Sequence, residues 1–283
     1  MSTDRLAVRK TYKLFIGGTF PRSESGRSYE VVGADGAFLA NAALASRKDV
    51  RDAVQAARKA VPGWAGATAY NRGQILYRIA EMLEGRRDQF AAEVAAFGED
   101  PSTVDEAIDR WVWYAGWSDK LAQVYGSGNP VAGPFFNLSG PEPTGVVGIV
   151  APEEPALLGL VSVVAPAVVT GNAVVVLAPE MRPLPAISLA EVLATSDLPG
   201  GVVNILTGRP TETAPWLAAH MDVNAIDLTG ASDPEFAKAL EEAAAENLKR
   251  VVRPSPVDWA ADPGIARMLP FVETKTVWHP KGI

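Results

Sequence analysis

The chain has 283 residues, 48% of them hydrophobic, and a formal net charge of −7, which describes a soluble globular protein of one large or two small domains. The acidic balance argues against nucleic acid and anionic membrane surfaces as partners. The sequence contains no cysteine, which removes disulfides, thiolate metal sites and a thiol nucleophile, and fits a reducing cytoplasm.

The opening stretch MSTDRLAVRKTYKLFIGG has no apolar h-region, so no secretory signal is expected. Lys13 to Gly18 reads as a short strand ending in a Gly-Gly turn, and residues 22–36 as a polar surface hairpin or loop. Ser46-Arg47-Lys48-Asp49 has capping-box spacing, with Asp in place of the usual Glu. Val50, Ala53, Val54 and Ala57 then fall on one helical face, and Pro62-Gly63 is expected to stop that helix. A second amphipathic helix follows Thr68, and a third is expected from about Gln89 to Phe97. Behind a cap at Ser102, Trp111, Trp113, Tyr114 and Trp117 sit at helical spacing and read as core packing rather than a stacking platform. Residues 126–143 are rich in turn formers around Phe135-Phe136-Asn137-Leu138 and suggest a protruding β-hairpin arm. Gly126-Ser127-Gly128 fits neither GxGxxG nor GxxxxGK[ST], so no phosphate loop is expected there.

Thr144 to Glu180 organises the rest. Val146 to Val150 and Ala173 to Leu177 are short β-branched runs bounded by Gly and Pro, with room for a crossover helix between them. Pro155 to Ala178 is uncharged and long enough to span a bilayer, but proline, Gly171-Asn172 and the lack of basic flanks favour a buried strand–helix–strand unit. Further strands are expected at residues 202–206 and 225–228, alternating with helices at 184–193, 213–220 and 234–247. The alternation predicts an α/β fold, a doubly wound parallel sheet with right-handed crossovers. A ligand in such a sheet lies outside the carboxyl ends of the strands, here Ala151 to Glu154 and Ala178 to Glu180.

FIGG, NRGQILYRIAEMLEGRRDQF, YAGWSDK, PTGVVGIVAP, VAPAVVTGN, DLPGGVVNIL, HMDVNAIDLTG and NLKRV come in an order that resembles the aldehyde dehydrogenase superfamily over residues 10–251. The resemblance implies a Rossmann-like cofactor domain formed by residues 1–128 and 145–268. It also implies a β oligomerisation arm formed by residues 129–144 and 269–283. Beyond Val251 the family continues into a catalytic domain, whereas this chain passes through VRPSPVDWAADPGIARM to a segment similar to the family's terminal strand. The sequence is therefore expected to be a truncated member lacking the catalytic domain, similar to the second, non-catalytic copy in tandem family members.

What the resemblance implies for the site is mostly loss. The family's nucleophile is a cysteine, its base falls in the absent segment, and its oxyanion-binding Asn corresponds to Glu154. No catalytic residue and no metal ligand is expected. Glu153 and Glu154 read as two exposed carboxylates rather than an acid/base pair, His220 as packing, and His279 as part of a tail. Of the cofactor site, Glu180, Thr229 and Gly230 remain as remnants. Leu177 replaces the family's lysine, and Asp233 and Glu235 place negative charge where a pyrophosphate would bind. No cofactor is expected, with NAD(P) bound weakly at best. The expected role is a cytoplasmic structural or regulatory subunit, a homodimer or a heteromer with a full-length aldehyde dehydrogenase. The alternatives are an NAD(P)-dependent oxidoreductase completed by a partner chain, and a nucleotide-sensing module.

Overall fold

The computed structural model describes residues 9–282. A small sheet opens the fold, with β1 (Thr11–Tyr12), β2 (Ser28–Val32) and β3 (Phe38–Ala43) in the order β1-β3-β2. Helices α1 (Arg47–Gly66), α2 (Ala69–Glu84), α3 (Arg87–Ala96), α4 (Thr103–Trp117) and α5 (Leu121–Tyr125) follow. The capping box at Ser46 closes with the shorter acid: Lys48 and Asp49 N–H donate to its hydroxyl, and its own N–H donates to Asp49 at 2.8 Å. Pro62 does not end α1, which runs on to Gly66. The last turn is held by Trp64, a buried ring whose Nε1 donates to the Val168 carbonyl at 2.9 Å, and that burial outweighs the lost helical hydrogen bond. Trp111 and Tyr114 are buried core residues, as their helical spacing predicts.

After β4 (Ser127–Asn129) and β5 (Phe135–Pro143), the chain alternates strand and helix through β6 (Val146–Val150), α6 (Leu158–Val169), β7 (Ala173–Leu177), α7 (Leu184–Ala194) and β8 (Val203–Leu206). It continues through α8 (Pro210–Ala218), β9 (Ala225–Asp227), α9 (Pro234–Ala245) and β10 (Arg250–Val252). The five strands pair in parallel in the order β10-β9-β6-β7-β8. The first strand in sequence thus lies at the centre, and the winding reverses between β6 and β9. Side chains alternate across the sheet: Val147 and Ile149 join the core with α4, α6 and α7, while Val146 and Val150 join the opposite core with α1, α8 and α9. Every residue of α6 is buried, which accounts for the uncharged run, and no helix among the described residues is long and apolar enough to cross a membrane.

The strand β11 (Val272–Pro280) pairs antiparallel with β5 over its whole length, from Val272↔Pro143 to Pro280↔Phe135, in a sheet of order β11-β5-β4. Between β10 and β11 the chain packs back onto the domain. Met268 and Phe271 are fully buried against the α4 and α6 core, and the Phe271 carbonyl accepts from Thr144 N–H (3.2 Å) and Asn172 Nδ2 (2.9 Å). Nothing in the sequence pattern singles these contacts out.

Candidate functional site

The carboxyl ends of β6, β7 and β9 carry the candidate site. The loop after β6, Ala151 to Pro155, lies between the loop after β7 and the turn after β9, because β6 lies between those strands in the sheet. Glu153 and Glu154 turn to different partners. One Glu153 oxygen accepts from the Glu180 N–H at 2.6 Å and the other from the Met181 N–H at 3.1 Å. Glu154 is exposed and pairs with Arg182 Nη1 at 3.1 Å. Arg182 also pairs at 2.6 Å with buried Glu99, which accepts the Ala156 N–H with both oxygens. The two adjacent carboxylates therefore form no acid/base dyad, and Glu153 is a half-buried staple rather than the exposed group its neighbours in sequence suggest. Burial pushes the Glu153 carboxyl up, and its two backbone hydrogen bonds only partly offset that.

Glu180, Thr229 and Gly230 all border this loop. The Glu180 main chain is fixed by Glu153 on one side and by the Tyr29 hydroxyl, which donates to its carbonyl at 3.1 Å, on the other. The Glu180 carboxylate faces Arg209 Nε at 3.8 Å. Burial, followed by the charges of Glu180 and Glu153, pushes the Tyr29 phenol far up. Gly230 donates its N–H to the Val150 carbonyl at 2.9 Å, and a Cβ there would lie 2.1 Å from the Ala151 carbonyl oxygen. Only glycine lets the β9 turn approach the β6 loop this closely. Thr229 turns inward, with its N–H (2.8 Å) and hydroxyl both donating to Asp227 Oδ1. Asp227 and the Glu153 staple are the residues that the sequence alone does not reveal. An acidic residue at the end of an otherwise apolar strand is the one local signal for Asp227.

His220 Nδ1 accepts from the Asp222 N–H at 3.1 Å in the turn after α8, and His279 pairs opposite Phe136 in the arm sheet. Among the described residues no three His, Asp or Glu side chains are grouped to hold a metal ion.

A parallel sheet with its winding reversal at β6 and β9 defines a Rossmann-like domain, in which ligands bind outside the carboxyl ends of the strands. Residues 20–253 match the model of the aldehyde dehydrogenase family, and the chain belongs to that family. It is 34% identical over 260 residues to human retinal dehydrogenase 2, covering 88% of this chain and 49% of that protein. It is 33% identical over 265 residues to cytosolic 10-formyltetrahydrofolate dehydrogenase of Pongo abelii, covering 89% of this chain and 29% of that protein. The aldehyde dehydrogenase of Bacillus cereus, solved as an NAD+ complex, superposes with a TM-score of 0.80 at 27% identity, over 86% of this chain and 50% of its own. The chain thus spans about half or less of the length of these relatives.

The last comparison corrects the expectation that no cofactor is involved, because a neighbour of the same fold carries NAD+. That expectation counted side chains without their orientations. Leu177 is 2% exposed and packs into the core on the α1, α8 and α9 side of the sheet. Asp233 is the N-cap of α9, its carboxylate accepting the Glu235 N–H at 3.1 Å.

Proposed function

We propose that this chain is a non-catalytic, dinucleotide-binding subunit of the aldehyde dehydrogenase family, working in the cytoplasm within an oligomer that includes a full-length aldehyde dehydrogenase. The observation that carries the proposal is the loop after β6. The position resembling the family's oxyanion-binding Asn is Glu154, whose carboxylate is paired with Arg182, and the sequence has no cysteine. A carboxylate there repels a developing oxyanion, and without a thiol the chain has no group to attack an aldehyde.

Glu180, Thr229 and Gly230 are the residues we assign to the dinucleotide, with the switch point between β6 and β9 as its place. The fit rests on the close approach of Gly230 to the β6 loop and on the half-buried Glu180 carboxylate on the other side of that loop. A nicotinamide dinucleotide supplies hydride transfer when a substrate is activated next to it. The residues of this chain bind and orient, and any activating thiol comes from another chain. The retained Rossmann-like fold also favours a second reading, an oxidoreductase whose active site is completed by its partner.

The arm supports assembly. Phe136, Leu138, Val277 and Trp278 are each about half exposed or more, and the outer edge of β11 is unpaired among the described residues. The test is multi-angle light scattering of this chain, alone and mixed with a full-length aldehyde dehydrogenase of the same source, with NADH formation followed in parallel. A complex that forms without creating new activity supports the subunit role. NADH formation that needs both chains supports the second reading. A monomer in both samples overturns assembly.

A further inference from the structure

We infer that Arg267, acting through Asp227, positions the Thr229–Gly230 turn, so that the segment between β10 and β11 orders the dinucleotide crevice. The inference rests on the assignment of that turn to the dinucleotide.

Asp227 is the last residue of β9 and is 1% exposed. One of its oxygens takes both the N–H and the hydroxyl of Thr229. The other faces Arg267 Nη1 at 3.8 Å, and Arg267 is the one cation within ion-pair distance of Asp227 among the described residues. A carboxylate this deeply buried is held in place only if its charge is paired and its lone pairs are used. Thr229 supplies the hydrogen bonds and Arg267 the countercharge, which together offset part of the burial that pushes the Asp227 carboxyl up.

Arg267 is itself held. Its guanidinium lies over the Trp259 ring at 5.2 Å from the centroid. The Trp259 and Ala261 carbonyls accept from Arg110 Nη2 of α4, at 2.5 and 3.2 Å. Met268 and Phe271, just beyond, are buried in the core. The segment is thus a strap fixed on both sides of Arg267, and it delivers one cation to the end of β9. It lies outside residues 20–253, the stretch that matches the family. The turn it supports packs directly on the β6 loop through Gly230.

The full chain is compared with Arg267→Gln, Arg267→Lys and Trp259→Leu by hydrogen exchange without ligand and by calorimetric titration with NAD. Arg267→Gln should speed exchange at residues 228–232 by about tenfold or more, with β7 unchanged, and weaken NAD binding by about tenfold. Arg267→Lys should restore most of both, which general destabilisation would not produce. If Arg267→Gln does not fold, Trp259→Leu removes the ring beneath the guanidinium without stranding a charge and should give the same local change. Unchanged exchange at residues 228–232 in a folded variant overturns the inference. Faster local exchange with no NAD binding by any of the proteins upholds the positioning and overturns the assignment of the turn to a dinucleotide.

Discussion

Glu153 holds the backbone of Glu180: its carboxylate accepts the Glu180 N–H at 2.6 Å and, with its second oxygen, the Met181 N–H at 3.1 Å. One side chain after β6 thereby satisfies two donors of the loop after β7. The ends of β6 and β7 are thus cross-linked rather than followed by two independent loops.

Glu153→Ala should therefore lower stability by about 1.5–3 kcal/mol, because the partly buried Glu180 N–H and the exposed Met181 N–H lose a charged acceptor. Glu153→Gln keeps one acceptor and should cost less. Urea unfolding reads this as a shift in midpoint at constant slope. A midpoint unchanged in Glu153→Ala would show that the staple contributes nothing.

The purified chain should form neither NADH nor NADPH from aldehydes with NAD or NADP. The sequence has no thiol, and Glu154 stands at the loop with its charge paired to Arg182. The check is steady-state absorbance with several aldehydes against a mock purification. Turnover that scales with the amount of this protein alone would contradict it.

Removing residues 274–283 should give a folded domain that no longer associates. The cut spares Phe271 and Val272, which are buried at 1% and 4% exposure. A cut from residue 270 also deletes the Phe271 ring and its carbonyl contacts with Thr144 and Asn172. That longer deletion should cost about 3–5 kcal/mol more, the usual loss for a buried aromatic. Light scattering and thermal melts separate the two effects. Association that survives the shorter deletion would remove β11 from the interface.

Glu191 gives a pH signature. Burial pushes its carboxyl up, but hydrogen bonds and charge from Lys10 and Arg86, at 2.5 and 2.6 Å, outweigh that and hold it below the usual range. A depressed carboxyl stabilises the fold above its unfolded value, and the effect is lost as pH falls through the folded one. Glu191→Gln should thus be less stable than the parent near neutral pH, by up to about 1 kcal/mol since the side chain is a third exposed. The two proteins should converge in acid. A gap that stays constant down to strongly acidic pH would assign the effect to packing instead.

Much of the fold is legible without coordinates. The β-branched runs at residues 146–150 and 173–177, flanked by Gly and Pro, locate the two central strands, because side-chain period and turn chemistry are local properties. The same holds for the cap at Ser46, which needs only residues three apart. The end of α1 is not legible, because Pro62 lowers local propensity while the Trp64 contact with Val168 lies on α6, far along the chain. The cofactor expectation went astray for a related reason. Sequence shows that Leu177 is not a lysine, but not that it is buried in the core against the sheet.

By itself the sequence determined the strands at residues 146–150, 173–177, 203–206 and 225–227, most helix positions, the family resemblance and the absence of a thiol, all of which depend on residue identity and short-range periodicity. Only the tertiary structure decided that Glu153 holds Glu180, that Arg267 reaches Asp227, and that Gly230 meets Ala151. Those pairings depend on which strands are neighbours and where the strap crosses them, and sheet order is fixed by the packing of the whole domain, which no local window of residues contains.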